Sequence, residues 1–288
     1  MILHRRVLCL AFVAASLWAQ TGSEIDQLAV QTAGQSGSSL ARVQRLVTWI
    51  NHDFKWMATD YQKRTVEEII QRRGGNCAEL SNVLARLLKP TGIRYRWVSE
   101  INIHPYTPRR QETAARMVAE KGNRYSVFGL RHNDHRWLEV YDDSSGEWVP
   151  ADPSIGVVGV RPWIALRMAL LDRPQPAVPE VAEVTRDMIV PFAVVANIGS
   201  SGAQPQDRSQ FYVVQEFNRA YGGRLASLPA WKDWTRGVSE LSPLAAKAFA
   251  GEVNLHQSSQ KIADLAEAYE RLRLQARKKG LHLDRDAR

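Results

Sequence analysis

Three side chains able to share one nucleophilic reaction stand at telling places in the chain: the thiol of Cys77, the imidazole of His135 and the carboxylate of Asp152. A thiolate nucleophile needs a base that takes its proton and returns it to the leaving group, and that base needs a third group to hold its tautomer. Cys77 sits in Arg72–Leu88, where Gly74 and Gly75 permit a tight turn and Asn76 can cap a helix that begins at Cys77 itself. Glu79 is the reciprocal partner of that cap. A thiol in the first turn faces unpaired N–H groups and the positive end of the helix dipole, which favours the thiolate. His135 opens the run His135-Arg136-Trp137-Leu138-Glu139-Val140, and Asp152 follows 17 residues later, before Pro153. Two strands joined by a turn at Asp142–Gly146 would set that His and that Asp side by side.

Each residue has a plainer reading. Cys77 can be a small core residue, Asp152 a turn cap, and Trp97, Trp137 and Trp148 core rather than a substrate platform. His132 is the other candidate imidazole, but it lacks the His-x-Trp context. His132, Asp134 and His135 suggest a metal site, yet no other Cys or His lies at ligand spacing.

The elements that must position these groups follow from periodicity. Leu80, Val83, Leu84, Leu87 and Leu88 form one apolar stripe behind Cys77, and Pro90 and Gly92 end the helix. Upstream, Val43, Leu46, Val47, Ile50 and Phe54 share a helical face over Ala41–Trp56, and Thr65 with Glu68 forms a capping box for a short helix ending at Arg73. Downstream, Ile93–Ile103 reads as a strand with Ile93, Tyr95 and Trp97 on one face. Pro108–Gly122 reads as an inserted polar helix, and Arg124–Leu130, His135–Tyr141 and Glu147–Ala151 as strands. Helices first and consecutive strands after them imply an α+β domain with an antiparallel sheet.

Taken in order, Gly75-Asn76-Cys77, Gly92-Ile93-Arg94-Tyr95-Arg96, His135 to Tyr141, and Trp148 with Asp152-Pro153-Ser154 resemble the transglutaminase-like, papain-related core over about residues 41–155. The resemblance implies a fold of N-terminal helices packed on an antiparallel sheet, and a Cys-His-Asp triad of Cys77, His135 and Asp152. It also implies attack on amide carbonyls through a thioester. Water as acceptor gives a hydrolase and an amine gives cross-linking; hydrolysis is the preferred expectation, since no lysine-binding feature is visible. The backbone N–H of Cys77 is one natural oxyanion donor, with Trp56, Tyr61, Gln62 and Asn76 as candidates for the second. No cofactor and no metal is implied. The competing reading is a catalytically silent fold that binds peptides or the cell envelope.

The rest of the chain sets the context. Basic His4, Arg5 and Arg6 followed by the apolar run Val7–Ala19 read as a signal peptide over residues 1–20, so the expected product is exported, periplasmic or secreted, with no integral membrane segment. Cleavage removes Cys9, one of two cysteines, and leaves Cys77 alone. The formal charge of +8 falls to +6 with the loss of Arg5 and Arg6. The excess is scattered, which reads as solvated surface with no nucleic-acid partner; the partner expected is a protein or peptide substrate. The remaining boundaries are a polar lead-in at 21–40, the core at 41–172, a Pro- and Gly-containing connection at 173–208 with a candidate edge strand, and a helical region at 209–288.

Overall fold

The computed structural model describes residues 24–57, 62–103, 135–168, 170, 190–198, 202–281 and 283. The signal segment expected at 1–20, Tyr61, the polar helix and first strand expected at 108–130, His132, Asp134 and the Pro-rich 173–180 lie outside the described residues. The helix α1 covers 24–33 and α2 covers Ser39–Asp53. Next come β1 (Lys55–Trp56), α3 (Val66–Arg72), β2 (Gly74–Gly75) and α4 (Cys77–Leu88). The strands β3 (Tyr95–Asn102), β4 (Arg136–Asp142), β5 (Glu147–Asp152) and β6 (Val157–Val158) follow, and then α5 (Val160–Arg167). Strands β7 (Pro191–Ala196) and β8 (Gln206–Asp207) precede a π-helical stretch, Gln210–Glu216, that runs on into α6 (Phe217–Ala220). The long helices α7 (Pro229–Phe249) and α8 (Ser259–Lys278) end the described chain.

Both capping boxes form. Thr65 accepts from the N–H of Glu68 while the Glu68 carboxylate accepts from the N–H of Thr65, and Asn76 pairs with Glu79 in the same way. In α4 the residues Leu80, Val83, Leu84, Leu87 and Leu88 are all buried. At about 1.5–3 kcal/mol for each large apolar side chain, this stripe fixes the helix firmly enough to hold its first residue in place.

Strands β3 to β8 make a six-stranded antiparallel sheet in the order β6-β5-β4-β3-β7-β8. Side-chain alternation gives it two covered faces. Leu138, Val140 and Ala151, with Ile93, Tyr95 and Trp97, face α1 to α4. Val98, Trp137, Phe192 and Val194 face α5 to α8 in a second core. On that second side Glu139 is fully buried, and its carboxylate is shared among Arg96, Arg208 and the Tyr212 hydroxyl, which donates at 2.7 Å.

Three expectations change. The polar lead-in contains helix α1, because Ile25, Ala29 and Ala33 recur along one face and bury against α4, with Asp26 paired to Arg86. Gly74 and Gly75 form no turn of positive φ; they make the two-residue strand β2 that runs parallel to β1, and the left-handed residue is Arg73, at φ 52°. A Cβ on Gly74 would lie 2.7 Å from the Met57 sulfur and one on Gly75 2.8 Å from Cβ of Glu79, so close approach explains these glycines. Finally, of the edge or bulge that Pro191 implies for β7, the bulge is what forms: the strand pairs with both β3 and β8, and Pro191 stands at its first residue, where the register with β3 shifts.

Candidate active site

Two layers meet at Cys77. The half-buried thiol stands at the N-terminus of α4, and four residues on Ser81 donates its hydroxyl to the carbonyl of Arg136 at 3.1 Å, tying α4 to the head of β4. This contact sets the helix terminus against His135. The carbonyl of His135 in turn accepts from the N–H of Glu100 at 3.0 Å and the hydroxyl of Ser99 at 3.2 Å, so β3 fixes the backbone that carries the imidazole.

The imidazole stands between Asp152 and Cys77. Nε2 lies 2.5 Å from Oδ2 of Asp152, and the ring stands near enough to the Cys77 thiol to lower it both as a hydrogen-bond partner and by its charge. The backbone N–H of Arg136 also favours the thiolate. Asp152 is fully buried at the end of β5, and its other oxygen, Oδ1, accepts from the N–H of Ser154 at 3.1 Å and from its hydroxyl at 2.8 Å. Asn51 of α2 donates its amide to the carbonyls of Pro153 and Ser154, holding that loop in place.

The electrostatics follow from this geometry. Burial pushes the Cys77 thiol up, but the hydrogen bond and charge of His135, together with the Arg136 N–H, outweigh it and hold the thiol below its ordinary value against the opposing charge of Asp152. For His135 burial again disfavours the charge, yet the charge and hydrogen bond of Asp152, aided by Cys77, push it up to about 10. Both shifts favour the thiolate and imidazolium pair, the form in which a cysteine is nucleophilic and a proton donor stands ready beside it.

Residues 26–153 match the family model of the transglutaminase-like superfamily. This segment is similar to a transglutaminase-like core. It contains Cys77 and His135, and it ends one residue past Asp152. Among solved structures the chain is similar to a candidate cysteine protease from Cytophaga hutchinsonii, at 15% identity and a TM-score of 0.34, over 47% of this chain and 38% of that one. It is also similar to Rad4-Rad23 bound to a 6-4 photoproduct UV lesion, at 12% identity and a TM-score of 0.39, over 91% of this chain and 54% of that one. The chain thus spans from about two fifths to about half the length of these structures, and neither likeness bears on what it does. No curated protein matches the sequence.

Of the oxyanion candidates, Asn76 commits its side-chain oxygen to the N–H groups of Ala78 and Glu79, which leaves that of Cys77 itself for a ligand. Trp56 lies in register with Gly75. Gln62 is exposed and its oxygen accepts from Arg64, whose other nitrogen pairs with Glu79. Tyr61 lies outside the described residues. Trp137 is fully buried, whereas Trp97 and Trp148 are half-buried, Trp148 edge-on to Tyr141 and beneath the Arg96 guanidinium. Among the described residues no cluster of His, Cys, Asp and Glu is arranged to hold a metal ion, and no helix is long and apolar enough to cross a membrane.

Two contributors were not evident from side-chain types. Ser154 carries a local signal, since a Ser two residues after an Asp is a common turn partner. The N–H of Arg136 carries none, because its role depends on where α4 docks.

Proposed function

We propose that the chain is an exported cysteine-dependent hydrolase that cleaves amide bonds in proteins or peptides, cell-wall peptides being one such class, through a thioester on Cys77. The observation that carries this reading is the continuous set of contacts from a helix-terminal thiol through His135 to a buried Asp152. The thiolate attacks the carbonyl carbon, and the carbonyl oxygen gathers charge against the N–H of Cys77, with Trp56, whose strand pairs with Gly75, among the candidates for the second donor. The imidazolium of His135 protonates the departing amine as the C–N bond breaks. It then removes a proton from water as the water attacks the thioester, releasing the acid and restoring the thiol pair. Asp152 holds the ring in one tautomer and orientation throughout.

Hydrolysis is preferred to amine transfer because water needs no binding feature. The test is to incubate the purified chain with a panel of peptide amides, with and without a primary amine, and to identify products by mass. The expected result is free acid product that disappears in Cys77→Ala. Peptide binding with unchanged substrate in the wild type would instead support a silent binding fold.

A further inference from the structure

The hydrogen bond to Asp152 holds His135 by one edge, and an edge bond leaves the ring free to rock about it. What restrains the ring plane is a face contact. Trp137, two residues along β4 and on the same side of the sheet, stacks on His135 with centroids 5.5 Å apart and planes 26° from parallel. The Trp137 indole is fully buried, yet its Nε1 has no hydrogen-bond partner, so no polar contact fixes the angle of that ring. Its orientation rests on packing alone, and the χ2 angle of an aromatic side chain is intrinsically broad.

The packing comes from outside the segment that matches the family model. Trp163 of α5 lies 5.1 Å from Trp137, tilted by 38°, and Tyr212 meets Trp137 edge-on at 6.3 Å. Trp163 and Tyr212 brace each other at 4.9 Å, and the Tyr212 hydroxyl is anchored on buried Glu139. Trp163 is also fully buried with an unpartnered Nε1, so it too acts by shape. We infer that Trp163 is a positioning residue for the proposed catalytic imidazole: through Trp137 it sets the plane of His135, so the chain beyond residue 153 completes the site.

This inference rests on the catalytic reading above, and a purely structural Trp163 would predict lost stability and nothing more. The test is the pH profile of Cys77 alkylation by iodoacetamide in the full chain, read beside the melting temperature. The wild type should react well into the acid range. In Trp163→Leu the profile should move towards alkaline pH by about one unit or more, equivalent to about a tenfold loss of thiolate at a given acid pH. Trp163→Phe, which keeps a flat ring in the stack, should restore most of the acid reactivity. Trp234→Leu, which removes an equally buried indole packed on Tyr269, should lower the melting temperature without moving the profile. A folded Trp163→Leu chain with the wild-type profile would overturn the inference. Should that variant fail to fold, Trp163→Met removes the flat ring while filling more of its volume, and an unchanged profile there overturns it equally. An ordinary thiol profile in the wild type would instead overturn the catalytic pair itself.

Discussion

Replacing Asp152 by Asn tests the site with little change in shape. The rise of His135 from 6.5 to about 10 corresponds to about 5 kcal/mol of preference for the charged ring, at ~1.36 kcal/mol per pH unit. Burial opposes that charge, and Asp152 contributes the largest of the effects that overcome it. With Asn in its place, burial prevails, the ring is neutral near pH 7, and the thiol loses the cation that holds it ionised. A thiol of ordinary pKa, about 8.5, is only ~0.3% ionised at about pH 6. A more basic thiolate is intrinsically more nucleophilic, which offsets part of that loss. The net expectation is a fall in the alkylation rate on the order of tenfold or more at mildly acidic pH, with the rate now climbing steadily towards alkaline pH. Turnover of any amide substrate should fall further, on the order of 10⁴-fold, because the wrong tautomer also fails as a base. The assay is iodoacetamide labelling read by mass, with far-ultraviolet circular dichroism to confirm the fold. A folded Asp152→Asn chain that keeps the wild-type acid reactivity would refute the assigned role of Asp152.

Four further outcomes follow from the same contacts. Because the folded value of His135 lies above its unfolded one, its stabilisation is fully present below about 6.5 and lost as pH rises through about 10; the melting temperature should decline over that interval, and the decline should be shallower in Asp152→Asn. Glu139→Gln leaves Arg96 and Arg208 facing a neutral amide in a buried place, so urea unfolding should show a loss of about 3–5 kcal/mol. Gly75→Ala forces a Cβ to within 2.8 Å of Glu79 Cβ, displacing the start of α4; slowed labelling of Cys77 in a folded variant is expected, and wild-type labelling would count against close approach as the reason for glycine. A chain ending at 172 lacks β7, β8 and the late helices, and should show no cooperative thermal transition, since Val98, Trp137 and Trp163 share their core with Phe192, Tyr212 and Trp234.

The parts of this protein legible in its sequence are those set by neighbours within a turn or two. The caps at Thr65 and Asn76, the stripe of α4 and the alternation that sends Tyr95 and Trp97 to one face are local, since the residues that satisfy each backbone group or fill each face lie three, four or two positions away. For the same reason the helix that opens at Cys77 and the strand that opens just after His135 were visible. Tertiary structure decided the rest. Helix α1 has a weak local signal and takes its order from burial against α4. Gly74 and Gly75 look like a turn until Lys55 to Met57 runs beside them. Strand β7 enters between β3 and β8 from beyond residue 190, and a pairing so distant leaves no periodicity to read. Glu139, a charge in a strand core, is unreadable as a buried group until Arg208 and Tyr212 reach it from some 70 residues away. The three groups of the candidate site could be picked out because nucleophile, base and carboxylate each carry a chemical signature; the rings that hold His135 in its plane carry only shape, and shape exists once the chain has folded.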